Sequence, residues 1–474
     1  MTARRAKIVA TIGPVSRDPG TLEALLRAGV DVVRLNFAHD TLAAHEESVA
    51  AVRQVAGTVA RTVGVLIDLP GPKMRTGPIK GDWVVLEEGN EFVLTSEPVE
   101  GDSVRASTSV DGLADMVEGG DEIFLADGTI VLEVISKSGR DVVTRVLRRG
   151  VLRSRKGMHV PGAERSVEAF TPQDREALGH AVKLGADYVA LSFVRDAEDI
   201  ERARAALPAE GKRPHLIAKI ETASALKEIG GIVAAADGIM VARGDLGIQT
   251  PLREVPLMQK VIIRACNEGG KPVITATQML ESMTHSPLPT RAEVADLANA
   301  VLDGTDALML SEETAVGDQP VEAVGTMAVT VESAEGWPRQ AVWPEPATRA
   351  ESSVSWAVAH AAVQAAGALE LAAILCPTLT GATPRRVAAF RPAMQVVGLS
   401  ENAATLGSLT LTWGVTPLLI PPLEHPEDTT EIVAAAVGAA RSAGLVEESD
   451  LVAVVAGGPG RRAGSTDFLR IVHC

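Results

Sequence analysis

Short apolar runs closed by polar residues recur through the first two thirds of the chain. They span 7–12, 31–35, 63–67, 188–191, 215–220, 238–242, 273–276 and 307–310. The residues that follow are, in order, Gly13, Asn36, Asp68, Ser192, Glu221, Arg243, Thr277 and Ser311. Apolar runs this short, bounded by such residues, read as strands covered on both faces. Helical patterns lie between most of them, at 20–28, 41–56, 172–184, 197–207, 256–268 and 291–302. Strand, helix, strand units imply parallel strands joined by right-handed crossovers. Eight of them predict an α/β fold, a (β/α)8 TIM barrel, with its active site at the carboxyl ends of the strands. An open doubly wound sheet is the alternative architecture.

One interval breaks the rhythm. After Asp68 the chain runs through Leu69, Pro70, Gly71 and Pro72 and does not resume barrel patterning until about 157. Segments 83–86, 91–95, 122–125, 131–135 and 141–146 have strand composition and are bounded by turn residues. The insertion therefore reads as a small all-β lid over the strand ends. A Pro-, Trp- and Ala-rich linker is expected at 337–348, followed by a second α/β region. Its strands are expected at 372–375, 395–399, 417–420, 451–456 and 468–473. The expected domains are thus a barrel of 1–70 and 157–336, a lid of 71–156 and a C-terminal domain of 349–474.

The richest chemistry lies at 214–247. Lys219 and Glu221 end one apolar run, and Arg243 and Asp245 follow the next. Charges at the ends of buried parallel strands are costly unless they pair or bind something. Two carboxylates and a lysine suit a hard divalent cation with an anionic ligand beside it; a structural ion-pair network is the plainer reading. Net charge is −16 over 474 residues, which disfavours non-specific nucleic-acid binding. Cys266, Cys376 and Cys474 are widely separated, which argues for a reducing cytoplasm and against disulfides or structural zinc. Cys266 falls in an apolar helical register and is expected in the core. No signal-peptide core follows the basic start. The apolar stretch 357–376 is broken by His360, Gln364, Gly367 and Glu370, so it reads as a helix feeding a strand and not as a membrane span. The GGPG run at 457–460 lacks the spacing of a dinucleotide fingerprint, and no P-loop motif occurs. In the C-terminal region, Thr378, Thr380, Gly381 and Thr383 precede a helix bearing Arg385 and Arg386. Such a turn either cradles a phosphate or is an ordinary capped turn.

Longer matches point to a family. They are KIVATIGP at 7–14, RLN at 34–36, Asp68 with Gly71, Pro72 and Arg75, AKIE at 218–221 and DGIMVARGDLG at 237–247. KPVITATQMLESM at 271–283, PTRAEVAD at 289–296 and LDGTDALMLSEET at 302–314 extend them. On these segments the chain resembles pyruvate kinases along nearly its whole length. The resemblance implies transfer of a phosphoryl group from phosphoenolpyruvate to ADP, giving pyruvate and ATP in glycolysis. It implies Mg²⁺ or Mn²⁺ on Glu221 and Asp245, and Lys219 stabilising the transferring group. Arg34 and Arg75 would flank that group, and Thr277 would lie near the enolate carbon. Ala242, Arg243, Gly244 and Asp245 would surround the substrate carboxylate, chiefly through main-chain N–H groups. Asn36, His39 and Arg75 would face the nucleotide; for His39 an exposed loop position is the alternative.

The resemblance also implies a cytoplasmic homotetramer, with a phosphorylated effector bound at Thr378, Thr380, Gly381 and Thr383. Members that need K⁺ carry Glu where Lys73 stands. Lys73, together with Leu69 and the oxygen-free Ala38, implies an enzyme in which a lysine replaces K⁺. Ala38, Asp40 and Gln173 depart from the residues many members carry and bear on ADP binding. Two other readings remain open on these residues: a catalytically weak regulatory paralogue, and a Mg²⁺-dependent 2-oxo acid aldolase on the same barrel.

Overall fold

The computed structural model describes residues 4–126, 128–161, 168–211, 213–337, 353–423, 425, 428–457 and 464–474. Apart from Trp337, the linker expected at 337–348 lies outside them, as do residues 458–460 of the glycine run.

The eight apolar runs are parallel strands: Lys7–Thr11, Val32–Asn36, Gly64–Asp68, Tyr188–Leu191, His215–Ile220, Gly238–Ala242, Val273–Ala276 and Ala307–Leu310. They close in chain order, the last pairing with the first, which excludes the open sheet. Their interior is filled by side chains such as Val9, Leu66, Ile217, Met240, Ile274 and Met309. The barrel is therefore a packed core whose chemistry is confined to its ends. Between the fifth and sixth strands the chain forms two short helices, Ala223–Lys227 and Ile229–Ala235, broken at Glu228. Gly230 and Gly231 stand in that second helix, and glycine weakens a helix interior.

The insertion after the third strand forms a two-stranded and a six-stranded sheet. Its own core includes Phe92, Leu94, Ile123 and Leu132. One short helix, Leu113–Met116, interrupts the expected all-β pattern. Met158–His159 pairs with Glu122–Leu125, so the lid sheet extends to the point where the chain re-enters the barrel. The hinge is tied down by the next helix, Pro172–Lys183. Thr171 and Asp174 form its capping box, and Asp174 Oδ1 also accepts the Gly71 N–H at 2.9 Å.

The C-terminal sheet has the order Val415–Leu419, Gln395–Ser400, Ala373–Pro377, Leu451–Ala456 and Phe468–His473, the last strand antiparallel. Segment 407–415 plugs the amino end of the barrel. Leu411 joins the barrel interior, and its N–H donates to Tyr188 Oη at 3.1 Å. Lys7 Nζ donates to the Val415 carbonyl at 2.8 Å. Arg391 pairs with Asp306 at 3.1 Å and lies over the Trp413 ring. Among the described residues no helix is long and apolar enough to cross a membrane.

Candidate active site

Residues two apart on a strand point the same way. Lys219 and Glu221 therefore emerge together at the end of the fifth strand, as Arg34 and Asn36 do at the end of the second. Arg34 donates from Nε and Nη2 to Asp68 Oδ2, at 2.9 and 2.7 Å. Its Nη1 reaches Thr11 Oγ1 at 3.0 Å. Lys219 Nζ lies 2.9 Å from Glu221 Oε1 and 3.3 Å from Asp68 Oδ1, and donates to Ser192 Oγ at 2.8 Å. Two cations and two carboxylates thus share one buried cluster at the carboxyl ends of four adjacent strands.

Burial and charge pull in opposite directions here. Burial alone would lower the Lys219 pKa, but Asp68, Glu221 and Asp245 outweigh it and drive the pKa above that of a free lysine. Burial would raise Asp68, yet Lys219 and Arg34 hold it below the usual carboxylate range. Glu221 is different. Burial pushes it up to about 7, Asp245 adds to the rise, and Lys219 only partly offsets both. Glu221 is fully buried, and its Oε1 accepts no hydrogen bond of good geometry despite the ion pair. A fully buried carboxylate that strained, beside a second carboxylate, suits a hard cation. Among the described residues no cluster of three or more His, Cys, Asp or Glu side chains forms a metal site. The Glu221–Asp245 pair therefore suits an ion that takes few protein ligands and completes its shell with substrate and water oxygens, as Mg²⁺ does.

Asp245 sits on a short helix, Arg243–Gln249, that starts where the sixth strand ends. The Arg243 side chain turns away from the cleft. It is buried, donating to Asp296 Oδ2 at 2.6 Å and to the Thr277 and Ala276 carbonyls at 3.2 Å. It therefore braces the turn, and only its backbone is near the expected carboxylate site. The Gly244 N–H is already engaged by Thr277 Oγ1 at 2.9 Å. Thr277 itself has φ +65°, and Gln278 has φ +56°. A β-branched residue in that region is strained by about 1–3 kcal/mol, a cost that clusters at functional sites.

Above the cluster, barrel and lid enclose a cavity of about 350 Å³, within the range of ligand sites. Lys73, Arg75, Lys156, Asp245 and Glu312 bring charge to its walls, and His39 also lines it. Gln249 Nε2 and His159 Nδ1 meet at 3.3 Å and link the lid to the helix carrying Asp245. His39 sits in an exposed bend after the second strand, as the loop alternative expected, and still lines the cavity. Burial, then Arg75, Lys73 and Arg34, lower its pKa. Lys73 is exposed on the hinge and faces Asp68 closely enough to lower its pKa. Asn36 Oδ1 accepts the Ala38 N–H at 3.1 Å. Asp40 has φ +63° and pairs with Arg17 at 2.9 Å; Asp tolerates that conformation better than most residues. Gln173 is exposed in the first turn of the helix that holds the hinge.

The C-terminal candidates lie at the opposite end of the molecule. Thr378 Oγ1 accepts the Gly381 N–H at 2.9 Å, and Gly381 has φ +78°. Thr383 is buried and shares a hydrogen bond with Thr466 at 2.8 Å. Arg385 turns back to the Thr380 carbonyl at 2.6 Å, and Arg386 to the Gly464 carbonyl at 2.8 Å. The space between Thr378, Thr380, Thr383 and Ser465 is about 20 Å³, enough for a water molecule.

Comparison with known proteins decides the family. The family model described as pyruvate kinase, barrel domain, matches residues 3–324, and that described as pyruvate kinase, alpha/beta domain, matches 356–472. The chain belongs to the pyruvate kinase family. It is 43% identical over 472 residues to pyruvate kinase 2 of Synechocystis sp., covering 99% of this chain and 79% of that one. It is 41% identical to the pyruvate kinase of Geobacillus stearothermophilus, covering 99% and 80%. With the pyruvate kinase of Thermococcus litoralis it shares 39% over 477 residues, 99% of each chain. A pyruvate kinase is a phosphotransferase acting on phosphoenolpyruvate and ADP, which sets aside the aldolase reading. Four features of this pyruvate kinase site were missed in the sequence. Ser192 was legible only as the polar end of a strand. The Phe193 N–H, which donates to Glu221 Oε2 at 2.6 Å, carries no side-chain signal. The strain at Thr277 had no signature in composition or spacing, and Glu312 on the cavity wall was legible only as a polar residue just past the eighth strand.

Proposed function

We propose that this chain is an active pyruvate kinase that transfers the phosphoryl group of phosphoenolpyruvate to ADP, giving pyruvate and ATP in glycolysis. The observation that carries this is the Lys219 ammonium, buried between Asp68, Glu221 and Ser192 beside Arg34 and beneath the lid cavity. Phosphoryl transfer asks little covalent chemistry of a protein and much positioning and charge neutralisation. Lys219 and Arg34 supply fixed positive charge from the barrel, and Arg75 supplies it from the hinge. Lys219 stays cationic because three carboxylates surround it. A divalent cation, Mg²⁺ or Mn²⁺, held by Glu221 and Asp245 would neutralise charge on the transferring group and on the developing enolate. The backbone of 242–245 and the Thr277 hydroxyl line the expected place of the substrate's carboxylate and methylene carbon. Asn36, His39 and Arg75 are read as facing ADP, and the lid limits the access of water.

The finer readings belong to the same proposal. Lys73 replaces K⁺, supported by its place on the cavity wall and its effect on Asp68. Thr378, Thr380, Gly381 and Thr383 bind a phosphorylated effector, with local opening, in a cytoplasmic homotetramer. The barrel comprises 1–70 and 157–336, the lid 71–156 and the regulatory domain 349–474. The deciding experiment is pyruvate formation from phosphoenolpyruvate and ADP, coupled to NADH oxidation. Turnover in the range of about 1–100 s⁻¹ typical of kinases is expected with Mg²⁺. Ligand binding without turnover would place the chain among catalytically weak paralogues instead.

A further inference from the structure

An ammonium has three N–H groups and no preferred direction of its own, so its aim depends on its neighbours. Around Lys219 the two carboxylates supply charge, Glu221 from 2.9 Å and Asp68 from 3.3 Å. Asp68 Oδ1 and Glu221 Oε1 lie within ion-pair distance, yet neither accepts a well-formed hydrogen bond. Ser192 is the directional partner, taking an N–H from Lys219 Nζ at 2.8 Å. Ser192 is 3% exposed, and its hydroxyl donates its own proton to the Leu69 carbonyl at 2.9 Å. A hydroxyl has one proton to give. With that proton committed to Leu69, Ser192 can only accept from the lysine, so the contact runs one way.

Leu69 is also where the lid hinge begins. The hinge backbone presses directly on Ser192: a Cβ added at Gly71 would lie 2.6 Å from Ser192 Cβ, and Gly71 has φ +64°. The Gly71 N–H is fixed to Asp174 at 2.9 Å. We propose that Ser192 is a positioning residue that aims the Lys219 ammonium at the transferring phosphoryl and ties that aim to the hinge backbone at Leu69–Gly71. Displacing the hinge would then displace the acceptor that orients the lysine, so lid position and lysine position change together. The proposal rests on Lys219 being the group that meets the phosphoryl.

The test is a double-mutant cycle on the full-length enzyme. Wild type, Ser192→Ala, Ser192→Thr, Lys219→Met and the Ser192→Ala/Lys219→Met pair are compared for kcat, for KM of phosphoenolpyruvate, ADP and Mg²⁺, and for melting temperature. Ser192→Ala is expected to lower kcat by about 10–100-fold, as losing a supporting partner of a reacting group commonly does, with each KM changed less than about threefold. Ser192→Thr keeps the hydroxyl and is expected to recover most of the loss. In the Lys219→Met background, Ser192→Ala should cost less than about twofold, because residues acting as a unit are not additive. A merely structural serine would multiply its cost in both backgrounds. Multiplicative losses overturn the proposal, as does a Ser192→Ala kcat within threefold of wild type. A Ser192→Thr variant no faster than Ser192→Ala at an unchanged melting temperature does the same. If Lys219→Met itself keeps near-wild-type turnover, the role of Lys219 fails first, and the Ser192 proposal falls with it for that separate reason.

Discussion

Replacing Lys219 with methionine removes one charge while leaving a side chain of similar length. Two unit charges about 4 Å apart interact by about 4 kcal/mol at an effective dielectric near 20. That is about three decades in rate, the upper end of the 10²–10³-fold cost of losing a preorganised partner. The fold should survive, because the groups left behind keep other partners. Asp68 retains two hydrogen bonds from Arg34, at 2.9 and 2.7 Å, and Glu221 retains the Phe193 N–H at 2.6 Å. A second effect follows from the electrostatics. Burial already lifts Glu221 to about 7, and Lys219 is the main influence pulling it down. Without the lysine, Glu221 keeps its proton at neutral pH, and proton and metal then compete for one carboxylate. The variant should therefore need more Mg²⁺, and that extra requirement should shrink as pH rises. The assay is steady-state pyruvate formation at several Mg²⁺ concentrations and pH values, with thermal unfolding as the control. A kcat within tenfold of wild type at saturating Mg²⁺ would refute the reasoning, and so would a metal requirement that does not move with pH.

Glu221→Gln and Asp245→Asn should each raise the Mg²⁺ needed for half-maximal activity by about tenfold or more; unchanged metal titrations would remove them as ligands. Activity should be high in buffer free of K⁺, and Lys73→Glu should lose it until K⁺ is restored; wild-type activity that appears only on adding K⁺ would contradict the Lys73 reading. Among sugar phosphates and nucleotides, at least one should shift the phosphoenolpyruvate dependence, and Thr380→Glu should abolish that shift; no response, or one that survives the substitution, would place regulation elsewhere. At the barrel–C-terminal interface, burial and then Arg385 lower His215 to about 4, against the pull of Asp237. The folded protein then binds fewer protons than the unfolded chain between about pH 4 and the ordinary 6.5, so stability is lost as pH falls through that window. With the ring 26% exposed, screening leaves about 1 kcal/mol of this. The melting temperature of wild type should fall from pH 7 to pH 5 by about 1 °C more than that of His215→Gln; parallel curves would count against the shift.

The barrel was legible because its determinants are local. Eight apolar runs spaced by helical periods leave few ways to bury both faces of each strand, and a closed parallel barrel satisfies all of them at once. The strand-end residues were legible for the same reason, since Lys219 and Glu221 stand at the end of a run where charge needs an explanation. Helix breaks were harder to read, because in 223–235 the periodicity continues across Glu228 while the backbone does not. What the tertiary structure alone decided is which atoms meet. Arg34 and Asp68 are 34 residues apart in sequence and share two hydrogen bonds, and no spacing rule links them. Arg243 has the composition of a ligand-binding residue but is drawn behind the turn by Asp296, 53 positions away. Thr277 adopts a strained backbone that its own side chain disfavours, so only its surroundings can impose it. Periodicity along a chain records which face a residue presents; charge compensation, strain and one-way hydrogen bonds such as Lys219 to Ser192 to Leu69 depend on distances across the barrel, which closure of the sheet sets.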